Sequence, residues 1–312
     1  MPRSAGVSRS PGPRIALVGC GRWGRHVLRD LVGLGCEVPV VARREETRRT
    51  AEEGGAAAVV GAIAELPQVE GAVVVTPTTT HAEVVDELLG MEIPLFVEKP
   101  LTDDAASARR LAEAAPERLF VMHKWRYHHG IELMARIARE GRLGGVVGLR
   151  TTRLGWGNPH GDVDGVWMLA PHDISIVLEV LGEIPEPASA VVERADSLVT
   201  GMVGTLGRAP WATIEVSIAH PVRRREVRLV CEEGVAVLPD AYSDRVLVAR
   251  GELQRQVSKQ EEEHRISGEL PLLRELRAFV EHVQGGPPPR SSAAEGAAEV
   301  AAIARLRELA GA

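Results

Sequence analysis

The sequence predicts an α/β protein: an N-terminal Rossmann domain with a parallel sheet, followed by a second, strand-rich α/β domain. Three observations lead there. The apolar run Arg14-Ile15-Ala16-Leu17-Val18 passes directly into Gly19-Cys20-Gly21-Arg22-Trp23-Gly24 and then an amphipathic stretch, Arg25 to Leu34. Further apolar runs each end in a polar turn and a helical pattern, the rhythm of βαβ units. From Ala188 onward the chain changes to short β-type runs joined by turns.

Composition bounds the function. With 312 residues and 45% hydrophobic content, the chain suffices for one large or two medium packed units. A net charge of -6 argues against a nucleic-acid binder, which would carry a basic excess. No run of about 18 apolar residues is present, so a membrane span is not expected. Residues 1–13, rich in Ser, Gly, Pro and Arg without an apolar core, read as a disordered leader. Three widely spaced cysteines (Cys20, Cys36, Cys231) fit reduced thiols and a cytoplasmic setting. Cationic residues are almost all arginine: of 37, only Lys99, Lys124 and Lys259 are lysine.

The first unit, residues 14–122, is read in order. A strand at 14–18 is followed by G-x-G-x-x-G in the strand–turn–helix context that gives the motif meaning. Gly19, Gly21 and Gly24 permit a tight turn and close approach of a pyrophosphate, with the helix N-terminus facing its charge. A strand at Val38 to Ala42 ends in Arg43-Arg44, where NAD-preferring folds place an acid for the ribose 2′-hydroxyl. Arginines there suit a 2′-phosphate, with Arg22 over the adenine and Trp23 in the same loop, so NADP(H) is expected ahead of NAD(H). The strand Gly71 to Val75 closes with Thr76, Pro77, Thr80 and His81, expected to border the cofactor, and a helix from Ala82 to Leu89. The strand Ile93 to Val97 ends at Glu98-Lys99-Pro100. Thr102 reads as the N-cap of a helix over 103–115, and Leu119 to Met122 as the last strand of this unit. In a chain that uses arginine so heavily, Lys99 points to a role needing an amine that gives and takes a proton.

In that order and spacing, Gly19 to Gly24, Thr76-Pro77 with His81, Glu98-Lys99-Pro100, Trp125-Arg126-Tyr127-His128 and Pro171-His172-Asp173 resemble the glucose-fructose oxidoreductase and inositol dehydrogenase family, Gfo/Idh/MocA. The resemblance covers nearly the whole chain. It implies a second α/β unit, residues 123–312, built on a large, mostly antiparallel sheet whose open face makes contacts between like subunits. It also implies a nicotinamide cofactor and a sugar-like substrate. The stretch Trp167 to Ser175 is most similar to members of amino-sugar and nucleotide-sugar pathways. Lys99 and His172 are the implied catalytic pair, with Glu98, Arg126 and Trp167 toward the nicotinamide end.

The second unit opens with a helix, Gly130 to Glu140, and a strand, Val146 to Leu154. Residues 155–167 read as a long polar loop in which Trp156 and Asp162 are candidates to stack on and hydrogen-bond a sugar. His160, Asp162 and Asp164 lack the spacing of a metal site, and no metal is expected. The next helix, expected to begin near Met168 or Pro171, carries His172 and departs from the family. Most members have aspartate four residues before this histidine, on the same helical face; here the position is Met168, which cannot orient an imidazole or trade a proton. Asp173 or Asp162 is then the substitute carboxylate.

The strands expected next run over 188–194, 197–205, 212–219, 225–231, 234–239 and 245–249. His220 with Arg223, Arg224 and Arg225 could meet a phosphate. Residues 259–265 read as a mixed-charge surface stretch, 270–283 as a helix, and Ser292 with Glu295 as a capping box for a final helix over 293–309. The reading is an NADP-preferring oxidoreductase acting on a carbonyl or hydroxyl carbon of a sugar, nucleotide-linked by the resemblance. Reduction of another bond, such as a cyclic imine, and a non-redox dinucleotide-binding protein are the alternatives.

Overall fold

The computed structural model describes residues 12–158, 161–251 and 260–312. Most of residues 1–13, with His160 and Lys259, lie outside the described residues.

Six strands form a parallel sheet in the order β3-β2-β1-β4-β5-β6: β1 (Ile15–Val18), β2 (Pro39–Val41), β3 (Ala58–Val60), β4 (Gly71–Val74), β5 (Leu95–Glu98) and β6 (Leu119–Met122). Their uninterrupted Val, Ile, Leu and Phe runs are buried on both faces, as a sheet covered by crossover helices requires. Those helices are α1 (Gly24–Gly33), α2 (Glu45–Glu53), α3 (His81–Leu89) and α4 (Ala105–Ala114). The sequence missed β3, whose three residues are partly exposed and follow an Ala-Gly-rich stretch without strong β propensity. It also placed the α4 cap at Thr102. The cap is Asp104, whose carboxylate accepts from the Ser107 N–H at 2.7 Å, while the Thr102 hydroxyl donates to the Asp104 oxygen.

After α5 (His129–Arg139), eight strands form the second sheet, ordered β14-β13-β12-β11-β7-β10-β9-β8. They are β7 (Val146–Trp156), β8 (Pro187–Ala195), β9 (Leu198–Gly207), β10 (Trp211–Ser217), β11 (Ala219–Cys231), β12 (Gly234–Leu238), β13 (Arg245–Arg250) and β14 (Gln260–Arg265). Only β7 and β10 pair in parallel. One face packs on α6 (Gly165–Leu181) and buries Leu149, Ile214, Val216, Val227 and Leu229. The other is open: Val191 is 72% and Val203 45% exposed, directly opposite one another on β8 and β9. β14 was read as a charged surface stretch; it is an edge strand whose acids meet β13, as in the 2.8 Å Arg245–Glu263 bridge.

The last two helices, α7 (Pro271–Val283) and α8 (Ala293–Leu309), return to the first sheet. Phe279 of α7 stacks on Phe96 of β5 at 5.0 Å, within a core shared with Ile15, Leu17 and Phe120. Helix α8 packs against α4, and Ser292 and Glu295 form its capping box. No described helix is long and apolar enough to cross a membrane.

Candidate active site

The carboxyl ends of β1, β4, β5 and β6 meet at one edge of the first sheet, where ligands of open α/β folds bind. Gly19 has φ +97°, and a Cβ there would lie 2.7 Å from the Val75 oxygen. At Gly24 a Cβ would lie 2.4 Å from the Gly19 oxygen, so this glycine lets α1 start close against the turn. At Gly21 a Cβ would meet nothing within 4 Å, which is the space a pyrophosphate needs. These residues fit a dinucleotide. Arg22, Arg43 and Arg44 are exposed beside this turn, and none of them has an ion-pair partner among the described residues. Trp23 is half-buried beneath the Lys124 ammonium, 4.3 Å from its ring centroid.

The loop after β4 brings Thr76, Pro77 and Thr80 to the same edge, with the Thr80 hydroxyl donating to the Pro77 oxygen at 2.7 Å. His81 does not border a cofactor. It is wholly buried, its Nδ1 2.9 Å from the Pro100 oxygen and its Nε2 3.0 Å from the Thr76 oxygen. It ties this loop to the Glu98-Lys99-Pro100 turn, and burial holds its pKa below the ordinary imidazole value.

Lys99 is 6% exposed. Its Nζ donates to the Met168 main-chain oxygen at 3.1 Å and stands 3.8 Å from Glu98 Oε1. Burial lowers its pKa, Glu98, Glu299 and Asp162 oppose the shift, and Arg153 reinforces it. The result is an amine closer to neutral pH than a surface lysine, the property a proton donor and acceptor requires.

Helix α6 supplies the opposite wall, and it begins earlier than the sequence suggested. The Asp164 carboxylate caps it by accepting from the Val166 and Trp167 N–H groups, and Pro171 lies inside it. Starting at Gly165 turns Trp167 into the core, 9% exposed, with the Arg307 guanidinium 5.8 Å over its ring. Trp167, expected toward the nicotinamide end, thus packs against Arg307 of the last helix. The Met168 main-chain oxygen meets Lys99, the His172 ring feels the Lys99 charge, and Nδ1 of His172 is buried without a protein partner. Burial first, then Lys99, Arg153, Lys124 and Arg225, hold its pKa well below 6.5, so the ring is neutral.

Asp173 is not a substrate contact either. Its carboxylate lies 2.5 Å from Arg153 Nε, the pair 1% and 5% exposed, and Arg153 stacks on Trp125 at 4.5 Å. Arg126 is turned away from Lys99: it bonds Glu179 and Glu295, both at 2.9 Å, and the Arg290 oxygen at 2.7 Å. Trp156, 79% exposed at the end of β7, follows the alternation of Arg150 on the open face, away from Arg153. Asp162 stays with the site, influencing Lys99 and carrying a buried Oδ2 without a partner. No described cluster of His, Cys, Asp or Glu could hold a metal.

Sequence reasoning passed over the second lysine. Lys124, at the end of β6, faces Glu98 and the 1% exposed Glu275 of α7. Burial pushes it down to about 8, against the pull of both acids and with the help of Lys99 and Arg153. Its rarity in so arginine-rich a chain was the available signal.

Residues 13–123 match the family model described as an oxidoreductase family with an NAD-binding Rossmann fold, Gfo/Idh/MocA. The match thus covers the Rossmann half of the chain. The chain is 27% identical over 226 residues to the UDP-N-acetylglucosamine 3-dehydrogenase of Acidithiobacillus ferrooxidans, 69% of this chain and 70% of that one. A solved structure of that enzyme superposes with a TM-score of 0.82 at 22% identity, covering 96% of this chain and 97% of the other. An inositol 2-dehydrogenase of Streptomyces avermitilis is 25% identical over 321 residues, 94% of this chain and 91% of that one. The same fold recurs in a 3-ketoreductase from Actinomadura kijaniata, solved with TDP-benzene and NADP: TM-score 0.81, 22% identity, coverage of 95% and 97%.

Proposed function

We propose that this oxidoreductase prefers NADP(H) and transfers hydride between nicotinamide and a carbonyl or hydroxyl carbon of a sugar, nucleotide-linked rather than free. The observation that carries the proposal is the buried Lys99 ammonium at the carboxyl end of β5, anchored on the Met168 oxygen and acting on the His172 ring. Bound at Gly19, Gly21 and Gly24, the cofactor supplies the hydride. In the reducing direction Lys99 gives a proton to the new alkoxide, and the neutral imidazole holds the adjacent hydroxyl or the same oxygen by hydrogen bonding. Asp162 is the substrate-facing carboxylate, and Thr76, Pro77 and Thr80 close the cofactor side. The dinucleotide-binding relatives and the ketoreductase solved with NADP support the cofactor class. Preference for NADP(H) rests on Arg22, Arg43 and Arg44, unpaired where an acid would select NAD(H).

One observation favours a second reading, reduction of an imine. Met168 stands where a carboxylate would assist a carbonyl, and an imine that arrives protonated needs less acid. Activity on cyclic imines but not on keto sugars would select it.

The open face of the second sheet, with Val191, Val203 and Leu247 along it, is proposed as the contact between like subunits. A cytoplasmic setting accords with three buried free thiols.

The test is a fluorescence titration of cofactor-stripped protein with NADPH and with NADH. Tighter NADPH binding is expected. Equal dissociation constants would refute the preference, and no binding of either would refute the oxidoreductase reading.

A further inference from the structure

The register of β11 against β7 places Arg225 directly opposite Arg153. Both follow the alternation of Leu149, Val227 and Leu229, so both lie on the face that packs against α6. Like charges directly opposite in a sheet repel; Arg153 is 4% exposed and Arg225 partly buried. The carboxylate of Asp173 satisfies Arg153 at 2.5 Å. No described carboxylate pairs with Arg225. Its Nη1 donates to the Leu154 oxygen at 2.5 Å and the Arg224 oxygen at 3.0 Å, leaving Nε and Nη2 without protein acceptors among the described residues.

Its two neighbours in sequence are otherwise engaged. Arg223 reaches Asp240 at 3.1 Å and lies over Tyr242, while Arg224 stands 3.8 Å from Glu226. The separation comes from the register shift between Ala219 and Arg224, which swings the intervening residues off the ladder before Arg225 rejoins it. A purely structural arginine tying β11 to β7 would need only the Nη1 bonds. Burial, and then Arg153 and Arg223, push Arg225 down to about 10, with Asp173 and Asp240 opposing. His172 feels the same excess, since Lys99, Arg153, Lys124 and Arg225 all act on it with one sign.

We infer that Arg225 reads an anion on the substrate: its free fork binds a phosphate of a diphosphate-linked sugar whose reacting carbon lies between Lys99 and His172. Planar guanidinium forks match phosphate oxygens in pairs, and a site with surplus positive charge discriminates against neutral polyols. The inference rests on the sugar-oxidoreductase reading and deepens it, by separating nucleotide-linked sugars from free cyclitols.

The experiment is calorimetric titration of the full-length protein, saturated with NADPH to fill the dinucleotide site, with UDP and separately with uridine. UDP is expected to bind at least about tenfold more tightly than uridine, a modest return for one charged hydrogen-bonded contact. Arg225→Gln should lose about tenfold or more of the UDP affinity while NADPH affinity and melting temperature hold, and Arg225→Lys should recover part of it. Equal binding of UDP and uridine, absence of UDP binding, or an Arg225→Gln protein that binds UDP like the parent would each overturn the inference. So would binding of glucuronate in place of UDP. Should Arg225→Gln fail to fold, the UDP and uridine comparison on the parent protein decides alone. A protein that binds NADPH but ignores UDP loses only this inference, whereas one that does not bind NADPH loses the oxidoreductase reading beneath it.

Discussion

The ammonium of Lys99 donates to the main-chain oxygen of Met168, 3.1 Å away. The position where relatives by resemblance carry an acid thus still meets the lysine, through backbone rather than side chain. Pro171 lies in the same turn of α6 and has no N–H to give, so the helical bond it omits is the one to the Trp167 oxygen, while the Met168 oxygen takes the Lys99 ammonium. Replacing Lys99 by Met is expected to reduce turnover by about 10² or more while the NADPH dissociation constant stays within about twofold. Lys99→Arg should not restore it, because a guanidinium does not release its proton. Unchanged steady-state turnover in Lys99→Met would remove Lys99 from the chemistry.

Reintroducing the carboxylate tests the electrostatics of His172. Met168→Asp sets an acid one helical turn before the imidazole, at a position only 8% exposed. His172, now held well below 6.5, should titrate about one unit higher or more, visible in its ring-proton NMR shifts. In the parent enzyme, kcat/KM for reduction should fall as pH rises through a Lys99 pKa below 10.5, since the protonated amine is the donor. A His172 shift that does not move in Met168→Asp would mean the two side chains do not face one another.

Asp173→Asn leaves Arg153 buried without its counter-charge, next to Arg225. Removing one partner of such a pair costs about 3–5 kcal/mol, which urea unfolding would register directly. A loss below about 1 kcal/mol, the range of exposed pairs, would show that water reaches Arg153.

Glu275→Gln predicts a change in slope. Burial, then Glu98, raises the Glu275 carboxyl well above 4.5, with Lys124 opposing. The folded chain therefore keeps a proton that the unfolded chain has released, and stability falls as pH rises above 4.5 toward the raised value. Glutamine carries no such proton, so the variant's gain in melting temperature should grow from pH 5 to 7.5. Lys124, depressed to about 8, contributes its own rise in stability only between 8 and 10.5, outside that window. Parallel melting curves for parent and variant across pH 5 to 7.5 would contradict the assignment.

Arg43→Ser addresses the cofactor. Loss of a charge-assisted contact to the 2′-phosphate should weaken NADPH by about tenfold and leave NADH nearly unchanged. Equal weakening of both would place Arg43 on a group the two cofactors share.

The first sheet was legible because its strands are short apolar runs that end in turn residues, and because Gly19 and Gly24 have steric reasons for being glycine. Lys99 was legible from an amino-acid bias, and the β14 strand was hidden by one: charges on an edge look like a solvated loop. Side-chain direction was the larger loss. Trp167, Arg126, His81 and Asp173 all fall near the expected edge in sequence, yet each turns to a partner far along the chain: Arg307, Glu295, Pro100 and Arg153. The α6 start at Gly165, ahead of the expected Met168 or Pro171, lengthens that helix, and no local pattern announced Asp164 as the cap. Met168 stands out as a departure, but the contact between its carbonyl and Lys99 depends on how α6 packs beside the end of β5, which no local pattern encodes.

Because α7 and α8 complete the first sheet, the order of synthesis has consequences. When β1 to β6 have left the ribosome, the face containing Ile15, Leu17, Phe96 and Phe120 still lacks Phe279 and Leu276. Glu275 and Glu299, which set the charge around the two lysines, are also still to come. Even though domains tend to fold in order as they emerge, the nascent nucleotide-binding half cannot mature early. Its apolar flank stays uncovered until the final helices are made, and the charge around Lys99 and Lys124 is complete only with the last turns of the polypeptide.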